Sequence, residues 1–188
     1  MKKVLILASG NGSNAANISK FLKKTDSKNE IKVLCNVKKA GVFNKMKNLK
    51  IPCILFENNF NILLIKECQN FQPDLIILAG FLKKIPAELI VVFKKKIVNI
   101  HPSLLPKYGG KGMYGDNVHN QVLMNKEKET GITIHYVNEK YDKGEIIFQK
   151  KINLNKNETL STINAKVKSL EMKYFPITIH QLLYGSEY

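Results

Sequence analysis

Along the first hundred residues, short uninterrupted apolar runs alternate with stretches where apolar positions recur every three to four residues. Residues 3–8 (KVLILA) are such a run, closed by Ser9-Gly10, and predict a strand buried on both faces. Residues 15–24 place Ile18, Phe21 and Leu22 on one helical face. The alternation continues with a strand at 31–36, a helix at 42–49, a strand at 53–56 after Pro52 and a helix at 62–71. A strongly apolar strand follows at 74–79 (DLIILA). Next come a short helix opening at Pro86, where a missing N–H costs little, and a strand at 96–100. Strands and helices alternating at this spacing predict βαβ units around a parallel sheet.

After His101 the pattern changes. Residues 102–115 hold two prolines and four glycines with little periodicity, and predict a long loop. A helix is predicted at 117–125, strands at 133–137 and 146–152, and helical periodicity over 159–183 through Ile163, Val167, Leu170 and Tyr174. Pro176 is expected to kink or break that last helix. The expected fold is α/β: a doubly wound, mostly parallel sheet with a modified C-terminal part and a long C-terminal helix. Ligands of such sheets bind outside the carboxyl ends of the strands, where the strand order reverses.

The length of 188 residues fits a single domain, and no internal repeat or low-complexity linker divides it. The hydrophobic fraction of 44% and mean hydropathy of -0.17 are those of a globular protein. The longest apolar runs, 75–79 and 89–93, are far short of a bilayer span, and Met1-Lys2-Lys3 leads into a strand rather than a signal sequence. The three cysteines, Cys35, Cys53 and Cys68, are widely spaced, which predicts reduced thiols in the cytoplasm, no disulfide scaffold and no metal site. Net charge is +15, which raises the question of a basic RNA-binding module. All thirty basic residues are Lys, however, and they are scattered. A nucleic-acid surface normally retains Arg for its bidentate fork, so nucleic acid is not the expected partner. A positive field of this size favours phosphorylated small molecules.

Three constellations carry candidate chemistry. The loop Ser9-Gly10-Asn11-Gly12-Ser13-Asn14 follows the first strand and opens the first helix. Its glycines allow tight turns, and Ser13 and Asn14 offer an N-cap and free N–H groups for an anion. Read as Gly10-x-Gly12-x-x-Ala15, the loop also matches a dinucleotide fingerprint, but the second strand ends at Asn36-Val37-Lys38-Lys39 without the carboxylate that would hold a ribose. A phosphate cradle is the better reading, with a packing turn as the plainer one. In Asn99-Ile100-His101-Pro102-Ser103-Leu104-Leu105-Pro106, strand periodicity turns Asn99 and His101 to one side at a strand end. There an amide donor and an imidazole can meet an oxygen that gains negative charge. Asp142, in Tyr141-Asp142-Lys143-Gly144 after a strand bearing Thr133 and His135, either orients a histidine or serves the turn before Gly144.

These blocks, with Leu78-Ala79-Gly80-Phe81 and Asp142-Lys143-Gly144-Glu145-Ile146-Ile147, resemble the phosphoribosylglycinamide formyltransferases, folate-dependent enzymes of purine synthesis, from Met1 to about Tyr184. The resemblance implies a single formyltransferase domain over 1–188, with a nucleotide- and phosphate-binding half at 1–100 and a catalytic-loop and folate-binding half at 101–188. It implies catalysis by Asn99, His101 and Asp142, and glycinamide ribonucleotide held by Gly12, Ser13, Asn14 and Glu171. A folate pocket would be lined by Phe81, Leu82, Lys83, Ile85, Val92, Val137 and Tyr141. The cosubstrate would be 10-formyltetrahydrofolate, with no bound cofactor, in a monomer or homodimer. The Leu105-Pro106 bond is expected to be cis. This sequence departs from the pattern at Lys83, where many members have Arg, at the long segment 108–116, and at Leu170, which replaces a polar residue. Formyltetrahydrofolate hydrolase and the catalytic domain of methionyl-tRNA formyltransferase share the superfamily, but each carries an extra domain for which this length leaves no room.

Overall fold

A computed structural model describes residues 1–185. It contains β1 (Lys3–Ala8), α1 (Ser13–Thr25), β2 (Glu30–Cys35), α2 (Val42–Asn48), β3 (Cys53–Leu55), α3 (Phe60–Phe71), β4 (Leu75–Leu78) and α4 (Ala87–Val92). β5 (Ile97–His101), α5 (Asp116–Met124), β6 (Glu129–Tyr136), β7 (Ile146–Asn153) and α6 (Leu160–Tyr184) follow. The strands form a seven-stranded sheet in the order β3-β2-β1-β4-β5-β6-β7. β1 pairs in parallel with β2 and β4, β2 pairs in parallel with β3, and β6 and β7 are antiparallel. The order therefore reverses between β1 and β4, as doubly wound sheets do.

Two compact units make up the chain: Met1–Val98 with the stretch from Pro176 onward, and Asn99–Phe175. In the first, β1 and β4 are almost wholly buried, which explains their lack of polar alternation. α3 buries Phe60, Leu64, Cys68 and Phe71, a helical stripe of three- and four-residue steps. In the second, β6 and β7 form a hairpin, with β6 buried along nearly its whole length and β7 largely exposed. β6 starts at Glu129, four residues before the apolar pattern announces it. Gly131 makes this possible, because a Cβ there would collide with the Lys150 carbonyl of the partner strand.

Two local expectations are corrected. α6 runs on through Pro176 without a break; Phe175, Ile179 and Leu183 are buried on either side, and that burial outweighs the single hydrogen bond a proline removes. Ser13 is the first residue of α1 rather than its cap, and Gly12 takes the cap position with φ 71° and no side-chain cap bond. A Cβ on Gly12 would approach Val42 at the start of α2 to 2.5–2.8 Å, so the glycine is required by backbone conformation and by packing together. The Leu105-Pro106 peptide is cis, as expected.

Gly12 and Gly10 therefore respond differently to the same change. Gly12→Ala is expected to lose roughly 1–3 kcal/mol of stability from left-handed strain and the clash. Gly10→Ala, with nothing within 4 Å of the new methyl, should stay within about 0.5 kcal/mol of the native chain. Urea midpoints read both; equal losses would contradict this account.

Candidate active site

The second unit gathers the expected Asn99, His101 and Asp142 and brings His135 to them. β5 ends with Asn99 and His101, two residues apart and so on one side of the strand. Asp142 reaches them from the β6–β7 turn. It is itself in the left-handed region at φ 53°, which Asp tolerates better than most residues. Its side chain is 11% exposed. Oδ2 accepts the Gly110 N–H at 2.8 Å and lies 3.6 Å from His101 Nδ1. Oδ1 lies 3.6 Å from His135 Nε2. One buried carboxylate is thus shared by two imidazoles and a loop amide.

His135 is the addition. It sits on β6, where alternate residues Thr133 and His135 share a face, and that periodicity was the available signal. Its Nδ1 is 2.8 Å from the Tyr136 carbonyl; a carbonyl only accepts, so Nδ1 carries the proton and Nε2 faces the Asn99 amide at 3.2 Å. The same Tyr136 carbonyl crosses Gly144 so closely that any Cβ there would collide with it, which explains the glycine after Asp142-Lys143. His101 is anchored in the same way, its Nε2 2.7 Å from the Tyr108 carbonyl. Its Nδ1 is left facing Asp142. Beneath the cluster, Thr133 Oγ1 donates to the Ser103 carbonyl and accepts from Leu105 N–H and Gln149 Nε2, fixing the loop that carries the cis proline.

Burial and charge compete at these groups. Burial pushes the His101 pKa down; Asp142, the Tyr108 carbonyl and Glu171 oppose it, and the balance lies below the ordinary histidine value. Burial pushes Asp142 up, but His135, the Gly110 N–H and His101 outweigh it, leaving the carboxylate below its usual range. His119 on α5 is buried and also lowered, mainly by desolvation, with Glu171 and Asp116 opposing. Free His101 is therefore neutral at pH 7 beside an ionised Asp142. It is ready to take a proton when negative charge develops nearby.

The remaining predicted residues are placed as follows. Glu171 on α6 pairs with Lys168 at 2.9 Å, and its charge acts on both His101 and His119. Val137 is half-buried and Tyr141 exposed beside the β6–β7 turn. In the first unit, the loop after β1 is held by Ser9, whose hydroxyl donates to Asn36 and accepts the Leu82 N–H. Lys45 Nζ binds Asn11 at 2.6 Å, which puts a cation on the same loop as Gly12, Ser13 and Asn14. Phe81 and Ile85 are buried, Phe81 against the Phe60 and Phe56 rings, and Lys83 lies over the Phe60 ring. Leu82 and Val92 are exposed. No cluster of three or more metal-ligating side chains occurs among the described residues, and none of their helices is long and apolar enough to cross a membrane.

An asparagine, a histidine and an aspartate converging at a strand end of a doubly wound sheet suit acyl-type group transfer through an oxyanion. The chain belongs to the formyl transferase family, whose model matches residues 2–179. It is accordingly a transferase. Among its relatives, the phosphoribosylglycinamide formyltransferase of Bacillus subtilis is 36% identical over 191 residues, covering 97% of this chain and 95% of the relative. The chloroplastic phosphoribosylglycinamide formyltransferase of Vigna unguiculata is also 36% identical over 96% of this chain, which spans 61% of that relative's length. The solved structure of phosphoribosylglycinamide formyltransferase from Bacillus halodurans matches with a TM-score of 0.88 at 31% identity, covering 99% of this chain and 97% of that one.

The direction of the histidine shifts fixes a stability profile. His101 and His119 titrate lower when folded than when unfolded, so below the ordinary histidine value of 6.5 the unfolded chain binds more protons. Stability is thus fully present above about pH 6.5 and is lost as pH falls toward the folded values. Asp142 adds a further loss only in stronger acid, as pH falls through its folded value. Urea unfolding between about pH 8 and pH 5 should show the midpoint falling on the acid side, and less so in His119→Asn. A flat profile would contradict the assignment.

Proposed function

We propose that the protein transfers a formyl group from 10-formyltetrahydrofolate to the amine of glycinamide ribonucleotide, a step of purine biosynthesis, in the cytoplasm and with small molecules rather than nucleic acid as its partners. The observation that carries this reading is the shared Asp142 carboxylate, with His101 and His135 on either side of it and Asn99 bonded to His135. The neutral amine attacks the formyl carbon, and the C=O electron pair moves to oxygen. The Asn99 amide N–H donates to that oxygen, and the proton leaving the attacking nitrogen passes by way of Asp142, directly or by water, to His101 Nδ1, whose imidazolium then faces the oxyanion beside Asp142. As the oxygen pair re-forms C=O the bond to N10 breaks, and that proton returns to N10 as the folate leaves.

Gly12, Ser13 and Asn14 hold the nucleotide phosphate at the N-terminus of α1, aided by Lys45. Glu171 holds another part of the nucleotide. Phe81, Leu82, Lys83, Ile85, Val92, Val137 and Tyr141 are assigned to the folate. Lys83 offers a point charge rather than a fork to the folate carboxylates. The chain acts as a single formyltransferase domain, in a monomer or homodimer. No resident cofactor is assigned, since the folate arrives and leaves with each turnover.

The test is formyl transfer measured with both substrates, in single turnover, across pH. His101→Ala and Asn99→Ala should each lower the rate by about 10²–10³ with little change in substrate affinity, because the lost bonds form in the transition state. Asp142→Asn should lower the rate and move the His101 titration to lower pH. Replacing His101 and Asp142 together should cost clearly less than the sum of the two. Absence of transfer to the ribonucleotide by the native chain, or hydrolysis of the folate to free formate alone, would overturn the reading. Near-native turnover by His101→Ala would overturn the mechanism.

A further inference from the structure

We propose that Tyr108 and Glu127 are positioning residues for His101, acting through the Tyr108 backbone carbonyl that holds the imidazole. The proposal rests on the reading of His101 as the catalytic histidine. Tyr108 lies in the loop between β5 and α5 with φ 55°, a conformation uncommon for a residue with a side chain. Its carbonyl is 2.7 Å from His101 Nε2. Its phenol donates to Glu127 Oε1 at 2.8 Å, and Lys107 Nζ binds both oxygens of that carboxylate at 3.0 and 3.2 Å.

Tyr108 is half-buried and lines a cavity of about 420 Å³ with Leu104, Glu127, Thr130 and Gln149. Polar partners hold its phenol: Glu127, with Asn125 also bonded to it. On either side the backbone is already tied: Ser103 Oγ donates to the Lys107 carbonyl at 2.7 Å, and the Gly110 N–H reaches Asp142 at 2.8 Å. Tyr108 lies between these ties, and its side chain fixes the rotation of its own peptide group.

That rotation matters because of which nitrogen it leaves free. With Nε2–H committed to a carbonyl, His101 has only Nδ1 to offer, and Nδ1 faces Asp142 at 3.6 Å. If the carbonyl turns away, the imidazole loses its orientation and its doubly donating cation loses one of two acceptors. The charged and titratable groups that act on His101 are Asp142 from the β6–β7 turn, His135 from β6, Glu171 from α6 and His119 from α5. All remain in place when the phenol is removed, so a change in His101 isolates the carbonyl.

The experiment compares Tyr108→Phe, Glu127→Ala, Glu127→Gln and the double variant Tyr108→Phe/Glu127→Ala by steady-state kinetics and by nitrogen-15 NMR titration of the His101 ring. Tyr108→Phe and Glu127→Ala are each expected to lower kcat about fivefold to tenfold, the loss of roughly one charge-assisted hydrogen bond, with KM for both substrates unchanged. The His101 titration should move to lower pH in each. The double variant should be no worse than either single one, and Glu127→Gln, which retains an acceptor oxygen, should recover most of the loss. A lower melting temperature with native kcat and an unmoved His101 titration would make the pair structural only and overturn the proposal. Glu127→Ala keeps the test decisive should Tyr108→Phe fold poorly. If the native protein formylates nothing, the functional reading fails, while the NMR arm still decides whether Tyr108 and Glu127 position His101.

Discussion

A carboxylate withdrawn from water is tolerated only where donors replace its hydration, and Asp142 sets that condition for the second unit. Its Oδ2 accepts the Gly110 N–H, the His101 and His135 rings stand 3.6 Å from its oxygens and donate to it when protonated, and each of these partners needs its own support. His135 is turned by the Tyr136 carbonyl, His101 by the Tyr108 carbonyl, and Gly110 by a loop that Ser103 and Thr133 anchor from below. The left-handed backbone at Asp142 and the close passage at Gly144 follow from bringing that carboxylate back over the end of β5. The arrangement leaves a neutral histidine beside an ionised acid, which is the state that responds to a growing negative charge.

The first unit solves a different problem with the sheet's topology. The strand order reverses between β1 and β4, the place where doubly wound sheets bind their ligands, and here the loops leaving the two strands are tied to each other. Ser9 binds Asn36 just beyond β2 and Gly80 and Leu82 just beyond β4, so the loop enters α1 with its shape already fixed. At Gly12 the left-handed turn that opens α1 is also the turn that clears Val42.

Periodicity made most of this fold legible. Apolar runs at β1 and β4 and the helical stripe of α3 identify themselves, because burial on two faces or one leaves a direct trace in the chain. Asn99 and His101 were legible for the same reason, since a strand end and a period of two place them together. Asp142 is not: without the family resemblance it is equally a turn residue, and its partners Gly110 and His101 lie 32 and 41 positions away, with only His135 nearby. His135 stands in view on β6 without a role, because no local pattern says that the carboxylate of the following turn folds back to meet it. The carbonyls of Tyr108 and Tyr136 are backbone groups and leave no trace in residue identity. At Pro176 the break is absent, the local signal being outweighed by burial of Phe175, Ile179 and Leu183 on either side.

Whether donors or burial govern Asp142 is decided by its own titration. Carbon-13 NMR of the Asp142 carboxyl in the native protein, followed as pH is lowered, should give a pKa below the ordinary aspartate value of 3.8, rising when His135 is replaced by Ala. A value above 3.8 in the native protein, unmoved by that replacement, would mean that burial prevails and that the carboxylate does not hold the two histidines as described.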